Sequence, residues 1–500
     1  GNDSLYGRAG EDLLYGEEGE NTLYGGTGND TLDGGANNDS LYGENGDDTL
    51  SGGDGIDIRD GGAGSNTADY TYLDSGTNKV TVNFTGTPGA QVYTSANVAV
   101  LSDVDTFSSI ENANGSKNND TFIMATGTTS NIIDGNDGID TIDYSKYTTS
   151  KIIVDLGLTA SQEITSGDKD TIIDIENLIG TALNDTITGS SANNSLDGSE
   201  GSDRIFSSSG NDILNGGVDI DGTIDTDIAD YSNASQKIIV SGGNSVNKLI
   251  GTDTLQNIEE IQGTNYLDTM TGGANTDIFR GGEANDILNG EGGDDTLFGD
   301  DGDDILSGGT GNDTLYGGTN LTTGDTVDYS ARTVGVDLTL DSGSGTAFLD
   351  TNPDGLEVHT TGEEEDTLDG IENIIGSTIA DKITGDAAAN SINGFTGNDT
   401  IKGGAGADIL RGGAGDDTIS GEAGVDKIYG DDGDDTIVDT EFTGDTIDGG
   451  DNTTLGDTVD YHNLTDSIEV TLNDSNTSSV YVKIGSDITN HKIENIENII

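Results

Sequence analysis

A nine-residue beat constrains this chain more than any other feature. From Gly7 to Asp60, glycine recurs at every ninth position: Gly7, Gly16, Gly25, Gly34, Gly43 and Gly52. A second Gly tends to hold the fourth place of each unit (Gly10, Gly19, Gly28, Gly46, Gly55). Asp or Asn holds the sixth (Asp12, Asn21, Asp30, Asp39, Asp48, Asp57) and Leu the eighth (Leu14, Leu23, Leu32, Leu41, Leu50). One apolar residue in nine is too few for an amphipathic helix face and too sparse for a long alternating strand. It suits a very short strand with its Leu directed to one side. The remaining residues must turn. Glycines supply the positive φ angles and close backbone approach of a tight reversal, which leaves the sixth-place carboxylate inside the turn among carbonyl oxygens.

Two such units close one coil of a parallel roll, so residues 18 apart stack and can share an ion between turns. Asp12 then pairs with Asp30, Asp30 with Asp48, and Asp39 with Asp57. An all-oxygen pocket of flexible geometry suits a hard cation of calcium's size. With no Cys and only His359, His462 and His491, the chain lacks the nitrogen and sulfur ligands of a zinc site. Asp is also an ordinary turn former, but isolated turn residues do not recur in phase with Gly and Leu over many units. Ordering a whole coil for two inward aliphatic side chains is unfavourable or marginal, so ion binding is expected to decide whether the roll folds. Extracellular calcium modules work at dissociation constants of about 0.1 to 1 mM.

Composition points the same way. Against 94 Asp and Glu stand 18 Lys and Arg, a formal charge of −76, and only 31% of residues are hydrophobic. Such numbers describe a disordered chain, yet 79 glycines in a fixed period describe a solenoid that orders when its charge is neutralised. Nucleic acid and anionic membranes are poor partners for this charge. No apolar run has the length of a transmembrane helix. Lack of Cys leaves calcium as the alternative staple to disulfides.

After Asp60 the beat lapses and a different element enters at Asn66-Thr67-Ala68-Asp69-Tyr70. It returns at Asp140 to Ser145, Asp227 to Ser232, Asp325 to Ser330 and Asp457 to Tyr461. A longer strand candidate follows each: Lys79 to Phe84, Lys151 to Leu156, Lys237 to Val240, Val334 to Leu340 and Ile468 to Leu472. Each insert closes on a second signature, running from Asp105 to Asn112, Asp170 to Asn177, Asp253 to Glu260 and Asp366 to Asn373, with Ile496-Glu497-Asn498 as the last. The expected organisation is roll at 1–68, insert at 69–114, short weak roll at 115–142, insert at 143–179 and roll at 180–228. Then come insert at 229–262, roll at 263–327, insert at 328–375, roll at 376–459 and a truncated insert at 460–500. Each insert is expected to continue one solenoid with larger coils. The chain opens inside a nonapeptide and stops inside a signature, so it is expected to be a piece of a longer protein.

The candidate metal ligands are the sixth-place carboxylates: Asp12, Asp30, Asp39, Asp48 and Asp57; Asp185, Asp203 and Asp212; Asp268, Asp277, Asp286, Asp295, Asp304 and Asp313; Asp381, Asp399, Asp408, Asp417, Asp426 and Asp435. In the later rolls Asp277 pairs with Asp295, Asp286 with Asp304, Asp295 with Asp313, Asp399 with Asp417, Asp408 with Asp426, and Asp417 with Asp435. Affinity is expected to rise from the thin roll at 115–142 through 180–217 and 272–318 to 394–438. Asn21, Asn66 and Asn194 remove a charge at that place, and Arg59 takes an inward apolar position, so those turns are expected to be empty or distorted. Tyr6, Tyr24 and Tyr42, also 18 apart, should form an outward ladder, either a simple sheet cover or a sugar-contacting stripe.

The combination of Asp-x-x-Asp-Tyr-Ser, an aliphatic strand, Ile371-Glu372-Asn373-Ile374-Ile375-Gly376-Ser377 and then Gly403-Gly404-Ala405-Gly406-Ala407-Asp408 resembles the RTX, or haemolysin-type calcium-binding, family. It is similar to the repeat regions of serralysin-type proteases, alginate epimerase R-modules and RTX adhesins. The resemblance implies an all-β, calcium-bound parallel β-roll interrupted by longer-strand inserts, export by a type I secretion machinery, and folding outside the cell. It implies multiple Ca2+ ions held by the sixth-place Asp residues together with turn carbonyls. The proteases' His-Glu-x-x-His helix is absent, and no arrangement of three histidines suggests another catalytic centre, so the stretch is expected not to be an enzyme. The expected role is a structural or secretion-assisting region of a secreted or surface protein. The alternatives are a carbohydrate-binding or adhesive module with extracellular polysaccharide as partner, or an accessory region of an exported enzyme.

Overall fold

The computed structural model describes residues 1–73, 79–85, 88–93, 99–126, 130–218, 225–350, 364–440, 444–451, 455–462, 468–472, 479–484 and 490–500. The chain divides into two compact units, Gly1–Asn233 with Val246–Glu259, and Ala234–Ser245 with Glu260–Ile500. Each is built from short strands in parallel pairs, and no α-helix occurs among the described residues. The chain is an all-β parallel roll, as the period requires.

In the first unit, successive nonapeptides alternate between two sheets. Ser4–Ala9 pairs with Thr22–Thr27, that strand with Ser40–Asn45, and that in turn with Ile58–Asp60, all parallel. On the other side Leu13–Tyr15, Thr31–Ala36, Thr49–Asp54 and Thr67–Asp69 pair likewise. Register places like on like: Leu14 opposite Leu32, Leu32 opposite Leu50, and Leu50 opposite Ala68. The five leucines Leu14, Leu23, Leu32, Leu41 and Leu50 form one buried cluster. A one-residue slip would turn every Leu to solvent, so the pattern locks the register. The second unit repeats this with longer runs. Met270, Leu288, Leu306, Val327, Ile374, Ile392, Leu410 and Ile428 stack in register along one sheet, all at most 1% exposed.

The inserts depart from simple enlargement of the coil. Lys79–Asn83 runs parallel to Thr121–Ile123 of the roll, but antiparallel to Gly89–Tyr93. Gly335–Asp341 is parallel to Lys382–Thr384, antiparallel to Ser344–Asp350, and that strand is antiparallel to Glu364–Asp369. Ile468–Leu472, Ser479–Ile484 and Asn490–Glu494 form a third such meander. The local cause is clearest at Asp341 to Ser344, where Ser342 and Gly343 take φ of 57° and 80°. Two left-handed residues make the tight turn whose twist suits a hairpin. An insert therefore leaves the roll, reverses twice and rejoins it. The forecast strands appear at or within a few residues of their expected places, including Ile153–Asp155 and Ile239–Ser241.

Leu297 is fully buried between Phe279 and Leu315 in one such stack. Leu297→Ala should lower stability by about 2–5 kcal/mol, measured by urea unfolding at saturating calcium. The half-buried neighbour Thr296 should tolerate Ala at a cost of about 0.5 kcal/mol or less.

Candidate metal centre

The sixth-place carboxylates stand in ladders. The backbone N–H of Asp12 donates to Asp30 Oδ1 at 2.8 Å, that of Asp30 to Asp48 at 2.8 Å, and that of Asp39 to Asp57 at 2.8 Å. The same bond joins Asp277 to Asp295, Asp286 to Asp304, Asp295 to Asp313, Asp399 to Asp417, Asp408 to Asp426 and Asp417 to Asp435, at 2.6 to 2.9 Å. Every pairing read from the 18-residue spacing is thus brought together. The other oxygen is left over. Oδ2 of Asp12, Asp30, Asp39, Asp48, Asp203, Asp286, Asp295, Asp304, Asp313, Asp399, Asp408, Asp417 and Asp435 is buried without a hydrogen-bond partner. The first glycine of the turn makes room for it: a Cβ on Gly403 would lie 2.4 Å from Asp408 Oδ2. A buried polar atom without a partner is costly and rare, and so many at equivalent places mark a missing positive partner.

Residues at equivalent places show what that partner must be. Where Asn replaces Asp, its amide nitrogen supplies the positive end and donates to a backbone carbonyl: Asn21 to Gly19 O, Asn66 to Ser109 O, Asn194 to Glu176 O and Asn390 to Glu372 O, at 2.8 to 3.1 Å. These turns are closed by their own amide and keep the ladder intact. At Asp212 the partner is a lysine. Lys248 Nζ lies 2.9 Å from Asp212 Oδ2 and 2.6 Å from Asp253 Oδ1, the oxygen that accepts the Asp212 N–H. At Asp57 it is Arg59, fully buried, with Nη2 2.8 Å from Asp105 Oδ2 and 3.9 Å from Asp57 Oδ2, over the Tyr70 ring. A cation between consecutive rungs therefore touches both carboxylates.

Three further predicted residues are occupied differently. Asp185, Asp268 and Asp381 accept the backbone N–H of Thr181, Thr264 and Ser377 on Oδ2, at 2.6 to 2.7 Å, and the hydroxyl of the same residue on Oδ1. Asp120 is held likewise by Ser116. The signal is a Ser or Thr four residues before the Asp, directly after the first glycine. Asp277 accepts the Gly273 N–H on Oδ2 at 2.8 Å.

Burial drives the carboxylate pKa values up, and the neighbouring rungs add to it. Asp203, Asp286 and Asp399 are pushed to about 8, Asp417 to about 7, and Asp295, Asp304, Asp408 and Asp435 to about 6. Among the described residues no three His, Cys, Asp or Glu side chains converge on one point. The donor set is two carboxylates per step with backbone carbonyls, which suits calcium, a cation that takes main-chain oxygens readily. Asp12, Asp30, Asp39, Asp48, Asp203, Asp286, Asp295, Asp304, Asp313, Asp399, Asp408, Asp417 and Asp435 fit that ion.

Both signatures of the insert close the ladders, a role the spacing alone did not disclose. Asp105, Asp170, Asp253 and Asp366 continue one ladder by accepting the N–H of Asp57, Asn131, Asp212 and Asp313. Their second oxygen receives the hydroxyl of the buried Tyr70, Tyr144, Tyr231 and Tyr329 of the Asp-Tyr element, at 3.0 to 3.2 Å. The Glu of the closing signature ends the other ladder. Glu111, Glu176, Glu259, Glu372 and Glu497 accept the N–H of Asn66, Asp140, Asp227, Asp325 and Asp457. Fifth-place Asn and Asp form an outer ladder: Asn398 accepts the Asp416 N–H and Asp416 the Asp434 N–H. Tyr6, Tyr24 and Tyr42 do stack, at 4.9 and 5.1 Å with planes within 11°.

Asp408→Asn should close its turn as Asn390 does and lose the ion shared with Asp426, whereas Asp416→Asn keeps an acceptor like that of Asn398 and should leave calcium binding unchanged. Isothermal titration of the two variants decides, and equal losses would refute the register. A second outcome concerns protons. A carboxylate whose pKa is higher folded than unfolded (about 3.9) stabilises fully below the unfolded value and loses that contribution as pH rises through the folded value. In calcium-free buffer the chain should therefore gain β structure by far-UV circular dichroism as pH falls from 8 towards 4.5, through the window of about 6 to 8 set by Asp203, Asp286, Asp399 and Asp417 at its upper end and by Asp295, Asp304, Asp408 and Asp435 at its lower end. Loss of structure over that range would contradict it.

The family model of the RTX calcium-binding nonapeptide repeat matches residues 1–32, 24–58, 33–68, 179–221, 257–288, 289–320, 366–401, 375–410 and 402–437. These segments contain the thirteen Asp residues listed above as fitting calcium, and the thin roll at 115–142 lies outside them. No curated protein matches the chain. Repeat matches in four blocks, each folded as a parallel roll with its carboxylates in register, identify the chain as an RTX-repeat protein with calcium-binding nonapeptides.

Proposed function

We propose that this chain is a calcium-dependent structural region of a secreted protein, unfolded where calcium is scarce and ordered in the calcium-rich medium outside the cell. The observation that carries the reading is the row of buried, partnerless Oδ2 atoms, repeated at 18-residue steps in both units. Without a cation these oxygens oppose folding, and at a formal charge of −76 the unfolded chain is also self-repelling. With a cation each becomes a cross-link between consecutive coils. Binding free energy is then folding free energy.

The resemblance to haemolysin-type proteins adds the route. A chain kept extended in a low-calcium cytosol suits passage through a type I machinery, and folding on exit would oppose its return. The region acts as a folding and export aid or as a stalk. No helix among the described residues is long and apolar enough to cross a membrane.

Far-UV circular dichroism during a calcium titration at pH 7.5 tests the reading. The chain should be largely unfolded in chelator and should acquire its β spectrum cooperatively at about 0.1 to 1 mM calcium. A full β spectrum in excess chelator would overturn it.

A further inference from the structure

At three exits from roll to insert, a buried Asp meets the Glu of the closing signature in a manner the nonapeptide pattern does not describe. The N–H of Asp140 donates to Glu176 Oε2 at 2.8 Å, that of Asp325 to Glu372 Oε2 at 3.0 Å, and that of Asp457 to Glu497 Oε2 at 3.0 Å. None of the three Asp residues lies in a matched repeat segment. Oδ1 of each accepts the N–H of the preceding rung, Asp120, Asp304 or Asp435. Oδ2 of each is buried without a hydrogen-bond partner, in a residue that is 0% exposed.

Space is reserved around these oxygens. A Cβ on Gly135, Gly317 or Gly449 would lie 2.3 to 2.6 Å from Oδ2 of Asp140, Asp325 or Asp457. On the other side, a Cβ on Gly324 or Gly456 would lie 2.7 or 2.9 Å from the Glu372 or Glu497 carboxylate. The opposite closure of the insert shows what fills such a step. There Lys248 bridges Asp212 Oδ2 and Asp253 Oδ1, and Arg59 stands between Asp57 and Asp105. At the Asp–Glu closures the nearby charges are instead further carboxylates: Asp120 and Asp134 around Asp140, Asp303 and Asp304 around Asp325, Asp434 and Asp448 around Asp457. The related closure at Asn66 and Glu111 has no such deficit, because the Asn66 amide donates to Ser109 O.

We propose that Asp140 with Glu176, Asp325 with Glu372, and Asp457 with Glu497 each form a calcium site of their own, in addition to the nonapeptide sites. Each ion joins the last turn of a roll to the first turn after its insert, with Asp Oδ2 and the Glu carboxylate as charged ligands and backbone or water oxygens completing the shell. The site fastens the loop made by the insert, so it ties together residues 36, 47 and 40 positions apart. This inference rests on the calcium reading given above.

Equilibrium dialysis of the full chain against calcium alone counts the bound ions. Glu372→Gln keeps an amide oxygen to accept the Asp325 N–H but removes the charge. It should bind one ion fewer than the unaltered chain at the calcium level that saturates the latter, with an unchanged β spectrum, and adding Glu497→Gln should remove a second. Asp325→Asn is the harsher check: Asn66 shows that Asn is accommodated at this rung, and because Asp325 is also the rung that follows Asp304, it should lose that ion and weaken the one held at Asp304. If Glu372→Gln fails to fold, the count on Glu497→Gln alone decides, since Glu497 meets only the rung at Asp457. An unchanged count in the folded variants overturns the junction sites while leaving the nonapeptide reading standing. An unaltered chain that binds no calcium overturns both.

Discussion

One interaction governs the rest of this structure: the buried sixth-place carboxylate that receives a backbone N–H on one oxygen and nothing from the chain on the other. The N–H bond fixes the pitch, because it ties each turn to the next coil at the same height. The leftover oxygen fixes the condition under which the pitch can exist. Leu14, Leu32 and Leu50 in their stack contribute hydrophobic burial, but the turns that bring them together concentrate like charges at each step. Removing a carboxylate from water without a counter-charge costs more than a coil of two aliphatic side chains returns. A cation is therefore a component of the fold.

The chain also carries its own solutions to that problem, and they cluster where inserts meet the roll. Asn66, Asn194 and Asn390 donate an amide, Ser116, Thr181, Thr264 and Ser377 donate a hydroxyl and an N–H, and Lys248 and Arg59 place a full charge between rungs. Four of these, Ser116, Thr181, Thr264 and Ser377, sit in the first turn after an insert. Open carboxylates run through the interiors of the blocks, as in Asp399, Asp408 and Asp417. The roll thus alternates between turns that need an external cation and turns that do not.

Much of this was legible in the chain itself. The period of nine names the short strands, the inward Leu and the sixth-place Asp, and doubling it gives the rungs that the hydrogen bonds join. The occupation of Asp185, Asp268 and Asp381 does not follow from the nine-residue period, although a Ser or Thr at a fixed offset of four residues announces it. Tyr329 capping Asp366 and Glu372 ending the ladder at Asp325 lie beyond local reading: the partners are 37 and 47 residues apart, a distance set by the length of the insert and by nothing periodic. The antiparallel reversal of the inserts is hidden in the sequence for a similar reason. Alternation of apolar residues is the same for parallel and antiparallel strands, and the decisive feature is a pair of turn residues, Ser342 and Gly343.

These closures explain why the inserts share two signatures while their intervening strands differ in length and sequence. An insert interrupts both carboxylate ladders at once, so rejoining the roll requires a replacement rung on each side. The closing signature supplies both, an Asp for one ladder and a Glu a few residues later for the other, as Asp366 and Glu372 do. The opening signature supplies Tyr329, whose hydroxyl satisfies the Asp, and Asp325, whose N–H the Glu receives. The strand after Tyr329 still has to return to register, with Val336, Leu338 and Leu340 turned into the core. A roll built from nearest-neighbour steps tolerates an excursion of any length provided that the steps on either side still match, and the two signatures are what make them match.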